Sequence, residues 1–247
     1  MARLKMNGYV IDDDYGPLYE KYGYSVIYPN AVRAAIENNP EGEDLILEIN
    51  SGGGSVFSGF EIFSILRSAK CNTVAEIQSL AGSAASTIAC GCKQVLMSPV
   101  GQMMIHDPVT GTYGNIRDHK ESTQALTAIK ESILNGYVQR CGEKATRAKL
   151  ADLMSKETWL PAQQAMELGL ADGILYADEP DPTVMVNAAQ HGFRNYVNSC
   201  SGLPPIEDLL AREQAKNGSN PTGEAPDKIN DAWKAEAALA IEKERFI

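Results

Sequence analysis

The spacing of apolar and polar positions divides the first 176 residues into short strands and helical runs. Residues 9–11 predict a first strand. Pro29 and Asn30 open a helix that continues through 31–37, because proline suits a first helical turn. Residues 39–42 form a turn, and the apolar run at 45–49 predicts a buried strand. Beyond a glycine-rich link, Val56, Phe60 and Phe63 fall on one helical face. A strand at 73–77 and a helix at 84–90 follow, then two short strands, 94–97 and 103–105, around the turn at 99–101. A polar loop at 107–114 leads into a long helix of about 115–140, stopped at Cys141 and Gly142. A shorter helix covers about 144–154. Leu160 and Pro161 start the helix at 162–168, with Gly169 where a left-handed cap is wanted, and 174–175 is a final strand. Strands alternating with helices predict α/β architecture.

The pattern breaks after about residue 177. Asp178, Glu179, Pro180, Asp181 and Pro182 interrupt it, and 217–226 is linker-like. Residues 231–245 predict a short amphipathic helix. The expected division is a core domain at 1–176 and a polar, flexible tail at 177–247. Hydrophobic residues make up 44% of the 247, enough for a sizeable core. A net charge of −10 argues against an electrostatic nucleic-acid binder. Five scattered cysteines, with no metal-type spacing, suit a reducing compartment. No signal core or membrane-length apolar run is present, so a cytoplasmic protein is expected.

Candidate chemistry sits at the strand ends. Gly52, Gly53 and Gly54 follow the strand at 45–49, and bare backbone N–H groups there suit either a phosphate or an oxyanion. The Walker lysine and the dinucleotide fingerprint are absent. The run Gly82-Ser-Ala-Ala-Ser-Thr87 lacks the Gly-x-Ser-x-Gly elbow, yet its small side chains admit a peptide carbonyl beside a helix start. Ser79, Ser83 and Ser86 are equal candidates on composition, each with helix capping as the plainer role. Of three histidines, His106 ends an apolar strand, His119 opens a polar helical run and His191 lies in the tail. Asp107 neighbours His106, but adjacent strand residues point opposite ways, so a third member comes from elsewhere.

Four ordered motifs resemble the ClpP family, the proteolytic subunit of Clp proteases. They are Ala84-Ala-Ser86, Met104-Ile-His106, Ile49-Asn-Ser-Gly-Gly-Gly54 with Gly52 in place of proline, and the stretch from Leu160 to Asp172. The segment from Met6 to Tyr15 resembles the phage and prophage branch, the head maturation (prohead) proteases. The resemblance implies a crotonase-like ββα superhelix with the long helix as an inter-ring handle. It also implies a serine endopeptidase without cofactor or metal, acting on polypeptides such as phage scaffold and capsid precursors. Stacked homo-oligomeric rings are implied as well, in the host cytoplasm or procapsid, away from nucleic acid and membrane.

Carried over by position, Ser86 is the nucleophile, His106 the general base and Glu157 the acid, with Asp152 as the alternative. The family has aspartate where Glu157 stands and glutamine where Asp107 stands. The backbone N–H groups of Gly54 and Thr87 make the oxyanion hole. The short N-terminus leaves few residues for the loops that line the entrance in ATPase-partnered members, so an AAA+ partner stays open. Two other readings are an acyl-CoA enzyme of the same fold and a non-catalytic capsid-assembly component.

Overall fold

A computed structural model describes residues 2–176 and 203–216. Its strands are β1 (Ala2–Val10), β2 (Val26–Ile27), β3 (Leu45–Gly54), β4 (Thr73–Gly82), β5 (Gln94–Met97), β6 (Gln102–Ile105), β7 (Thr158–Pro161) and β8 (Gly173–Ile174). Its α-helices are α1 (Gly16–Lys21), α2 (Pro29–Glu37), α3 (Val56–Ser68), α4 (Ala84–Gly91), α5 (Ile116–Cys141), α6 (Arg147–Ser155), α7 (Ala162–Leu168) and α8 (Ile206–Lys216).

The apolar run at 45–49 becomes the first half of β3, a central strand with β1 and β4 parallel on either side. Leu45, Leu47 and Ile49 on one face are almost fully buried and Ile46 on the other is buried too, as a strand covered on both faces requires. The sheet order is β2-β1-β3-β4-β5-β8, every pair parallel. β4 is long enough to serve two neighbours. Its first half pairs with β5 at 74–77, and its second half pairs with β6 at 80–82. β7 then adds to β6 antiparallel. The result is a mixed α/β protein built on a mostly parallel sheet.

Several elements depart from the sequence reading. β1 begins at Ala2, far ahead of the expected strand at 9–11, because its alternating burial leaves only a partial apolar signal. β7 was expected to be a helix approach; Leu160 and Thr158 are buried there by pairing with β6. The helix expected from 144 starts at Arg147, where Thr146 Oγ1 caps it by accepting from Lys149 N–H at 3.2 Å. The long helix is capped at Asn115, whose side chain accepts from Arg117 N–H at 2.7 Å while its own N–H donates to Asp118. All four buried residues of α5 lie at 133 or beyond, so its first half projects from the body.

Part of the segment expected as a tail is folded. α8 packs against α1 and β2, with Leu209 fully buried among Tyr19, Val26 and Tyr28. Tyr19 Oη donates to Pro204 O at 2.9 Å, and Tyr22 Oη donates to Glu213 at 2.7 Å. Apolar partners far away in sequence fix this helix, which a local reading of a charged segment does not see. The helix expected at 231–245 lies outside the described residues.

Candidate active site

The second half of β4, the turn that follows it and the end of β6 build the site. Gly82 pairs with Met104, and the next residue, Ser83, donates its N–H to Met104 O at 2.9 Å. The chain then turns sharply from strand to helix. Ser83 takes φ 51° and ψ −125°, a backbone conformation that L-residues rarely adopt. Its side chain does not cap α4. Two residues beyond Met104, His106 stands at the end of β6, and its Nε2 lies 2.7 Å from Ser83 Oγ.

The expected partner of His106 was Ser86, and the structure corrects that placement. Ser86 lies one turn into α4 with 0% exposure. Its Oγ donates to Ser83 O at 2.6 Å and lies 2.7 Å from Tyr137 Oη on α5. The Ser83–His106 contact pairs the strand-end histidine with the serine at the turn, while Ser86 is turned inward. What sets Ser83 apart is its place at the strand-to-helix junction, one residue after the pairing of Gly82 with Met104.

Glycine is required where β3 passes this turn. Gly53 has φ +104°, and a Cβ there would stand 2.7 Å from Ser83 Cβ. Ser51 braces the loop. Its hydroxyl donates to Gly8 O at 2.6 Å and accepts from Gly53 N–H at 3.1 Å. Asp12, at the end of β1, accepts from the hydroxyls of Ser55 at 2.9 Å and Ser58, holding the start of α3. Gly54 therefore sits between two fixed neighbours.

The expected oxyanion donor Thr87 is committed elsewhere: its N–H points along the helix to Ser83 O at 3.4 Å. Ala84 is the first residue of α4, and a first-turn N–H has no carbonyl four residues back to bond. Gly54 and Ala84 both line a cleft of about 430 Å³, together with Ser83, His106 and Tyr137. Phe57, Val109, Leu126, Ile129 and Ile133 make one wall of it apolar.

Glu157 lies in the turn before β7. The β6–β7 register pairs Ile105 with Thr158 and Met104 with Trp159, so Glu157 stands one residue beyond the last pair on β7 as His106 does on β6. Glu157 has φ 48°, with its N–H donating to Met154 O at 3.0 Å. Asp152, the alternative, is exposed on α6 and pairs with Lys156 at 2.8 Å, which holds its carboxyl below the ordinary range. Asp107 points to α5, where Lys130 Nζ lies 2.8 Å away. Tyr137 is fully buried, and that burial pushes its phenol well above the ordinary value of 10.0. Among the described residues, no cluster of three or more His, Cys, Asp or Glu is placed to hold a metal. No described helix is long and apolar enough to cross a membrane.

Fold and site together define an α/β protein that presents a serine–histidine pair beside a glycine loop. The Clp protease family model matches residues 31–178. The ATP-dependent Clp protease proteolytic subunit 1 of Chlamydia muridarum (strain MoPn / Nigg) is 29% identical over 146 residues, covering 58% of this chain and 75% of its own length. Its counterpart from Chlamydia trachomatis serovar D is 30% identical over 143 residues, covering 56% and 73%. The proteolytic subunit of Mesostigma viride is 27% identical over 143 residues, covering 57% and 62%. The chain belongs to the Clp protease family, and is thus a member of a peptidase family.

Proposed function

We propose that the protein is a serine endopeptidase whose nucleophile is Ser83, with His106 as its general base. The observation that carries this reading is the 2.7 Å contact between His106 Nε2 and Ser83 Oγ at the mouth of the cleft. A neutral imidazole takes the hydroxyl proton as Oγ bonds to the scissile carbonyl carbon. The carbonyl oxygen becomes an oxyanion held by the N–H groups of Gly54 and Ala84. The C–N bond then breaks, and the amine leaves with the proton from His106. Water, deprotonated by His106, attacks the acyl-enzyme and frees Ser83. Glu157 orients the imidazole and stabilises the imidazolium, a role supported by its place across the strand register.

The apolar wall of the cleft favours a peptide with an apolar side chain beside the cut. The acyl-CoA alternative needs an oxyanion hole but no serine–histidine pair, so the contact at Ser83 weighs against it. A phage head-maturation role, with scaffold or capsid precursors as substrates, is supported by the resemblance of residues 6–15 alone. Assembly into stacked rings is supported by the exposed start of α5, where Ile116 is 75% exposed.

A fluorophosphonate probe and a fluorogenic peptide test the assignment. Ser83→Ala is expected to abolish labelling and hydrolysis, while Ser86→Ala keeps a labelled Ser83 peptide in the mass spectrum. Labelling that survives Ser83→Ala, or maps to residue 86, overturns it. Incubation with a purified capsid precursor tests the finer role: no cleavage removes it and leaves the chemistry standing.

A further inference from the structure

Ser86 and Tyr137 remain without a part in that chemistry, although both lie at the nucleophile. Ser86 Oγ has one proton, and it goes to Ser83 O at 2.6 Å. The 2.7 Å contact with Tyr137 is therefore donated by the phenol. The chain of hydroxyls has one direction: Tyr137 O–H to Ser86 Oγ, and Ser86 O–H to Ser83 carbonyl. That carbonyl also accepts from the N–H groups of Ser86 at 3.0 Å and Thr87 at 3.4 Å, and the hydroxyl adds a third, shorter bond.

The peptide bond from Ser83 to Ala84 is planar and trans, since the region has no cis bond. Its C=O and N–H point in opposite directions. Fixing the carbonyl toward Ser86, inside the helix, fixes the Ala84 N–H toward the opposite side. We infer that Ser86 and Tyr137 are positioning residues whose hydroxyl chain holds the Ser83–Ala84 peptide plane so that the Ala84 N–H meets the developing oxyanion. The inference rests on Ser83 being the nucleophile. It also gives the positive φ of Ser83 a restraint, because a strained residue persists only where its surroundings over-determine it. Tyr137 comes from α5, so the projecting helix reaches the reacting centre through this phenol.

The effect belongs to the transition state more than to the ground state, because the oxyanion forms only there. Removing a whole oxyanion donor costs roughly 10²–10³ in kcat. A donor left in place but loosely aimed is expected to cost about 10- to 100-fold on the same scale. The test measures kcat and KM of the full chain on the fluorogenic peptide, together with the melting temperature, for Ser86→Ala, Tyr137→Phe and the double variant. Expected are a fall in kcat for Ser86→Ala with KM within about twofold and a smaller fall for Tyr137→Phe. The double variant should be no worse than Ser86→Ala alone, because the phenol acts through Ser86. An unchanged kcat in Ser86→Ala overturns the inference. So does a loss that appears in KM, or one matched by collapse of the melting temperature, which marks a packing role. The double variant removes both buried hydroxyls together and so avoids an unpaired polar group if a single variant folds poorly. If Ser86→Ala abolishes fluorophosphonate labelling while Ser83→Ala keeps it, the nucleophile assignment itself fails.

Discussion

Ser83 and Ser86 carry the same hydroxyl three residues apart, and their surroundings give them opposite work. Ser83 stands on a turn with φ 51°, half-buried, its Oγ against an imidazole. Ser86 is sealed inside α4, and its only proton is spent on a carbonyl. A similar contrast separates the two acids. Glu157 stands one residue beyond the last β6–β7 pair, as His106 does, while Asp152 is exposed and paired with Lys156. Glu157→Gln keeps shape but removes the charge that the proposed triad assigns to stabilising the imidazolium. It is expected to lower kcat by about 10²–10⁴, as loss of a triad acid does. Asp152→Asn is expected to leave kcat unchanged on the same fluorogenic peptide. The reverse ranking would transfer the role to Asp152.

The loop at the end of β3 shows how elements hold these residues. Parallel pairing of β3 with β4 brings Ser51 beside Ala81, so Gly53 passes against the serine turn. Gly53→Ala places a methyl 2.7 Å from Ser83 Cβ on a backbone with φ +104°. The expected cost is about 1–3 kcal/mol of stability, with a larger proportional loss of turnover as Ser83 shifts from His106. Denaturant melts paired with fluorophosphonate labelling rates check both. A variant that labels at the wild-type rate would show that the close approach is dispensable. β4 was legible as a strand at 73–77 from its apolar run. Its extension to Gly82 was not, because Gln78, Ser79 and Leu80 give no local period. It extends because β6 supplies a second partner there.

Across the whole molecule, one apolar core spans the sheet and the helices on it, and three cysteines belong to that core. Burial raises each thiol: Cys90 far up, Cys92 to about 12 and Cys141 to about 11, from an ordinary 9.0. The sign follows from proton binding. Below pH 9 both folded and unfolded thiols are neutral, and stability is unaffected. Above it the unfolded chain ionises first, so stability falls as pH rises from about 9 through 11 and 12. Urea midpoints at pH 8 and pH 10.5 should show this decline, with a shallower pH slope in Cys92→Ala. An equal slope in that variant would mean its thiol does not report on folding. A second, smaller cluster joins Leu209 of α8 to Tyr19 of α1, Val26 of β2 and Tyr28, so residues distant in sequence pack together beside β1.

The sequence by itself determined the α/β alternation and most of its strands and helices (not α1, β2, β7 or α8), the glycine loop, and the serine-bearing and histidine-bearing segments. Those are local facts, written in periodicity and in residue types. It also singled out His106 through its motif and Glu157 by its spacing from Trp159 and Gly169, with Asp152 as the alternative. Composition left the serines equal, since Ser83 and Ser86 sit in one run of small residues, and the family resemblance pointed to Ser86, whereas the structure brings Ser83 to His106. That contact is a matter of tertiary structure. The register of β6 on β4 sets which residue of the turn meets His106, and Tyr137 arrives from α5, fifty-one residues away, to claim Ser86.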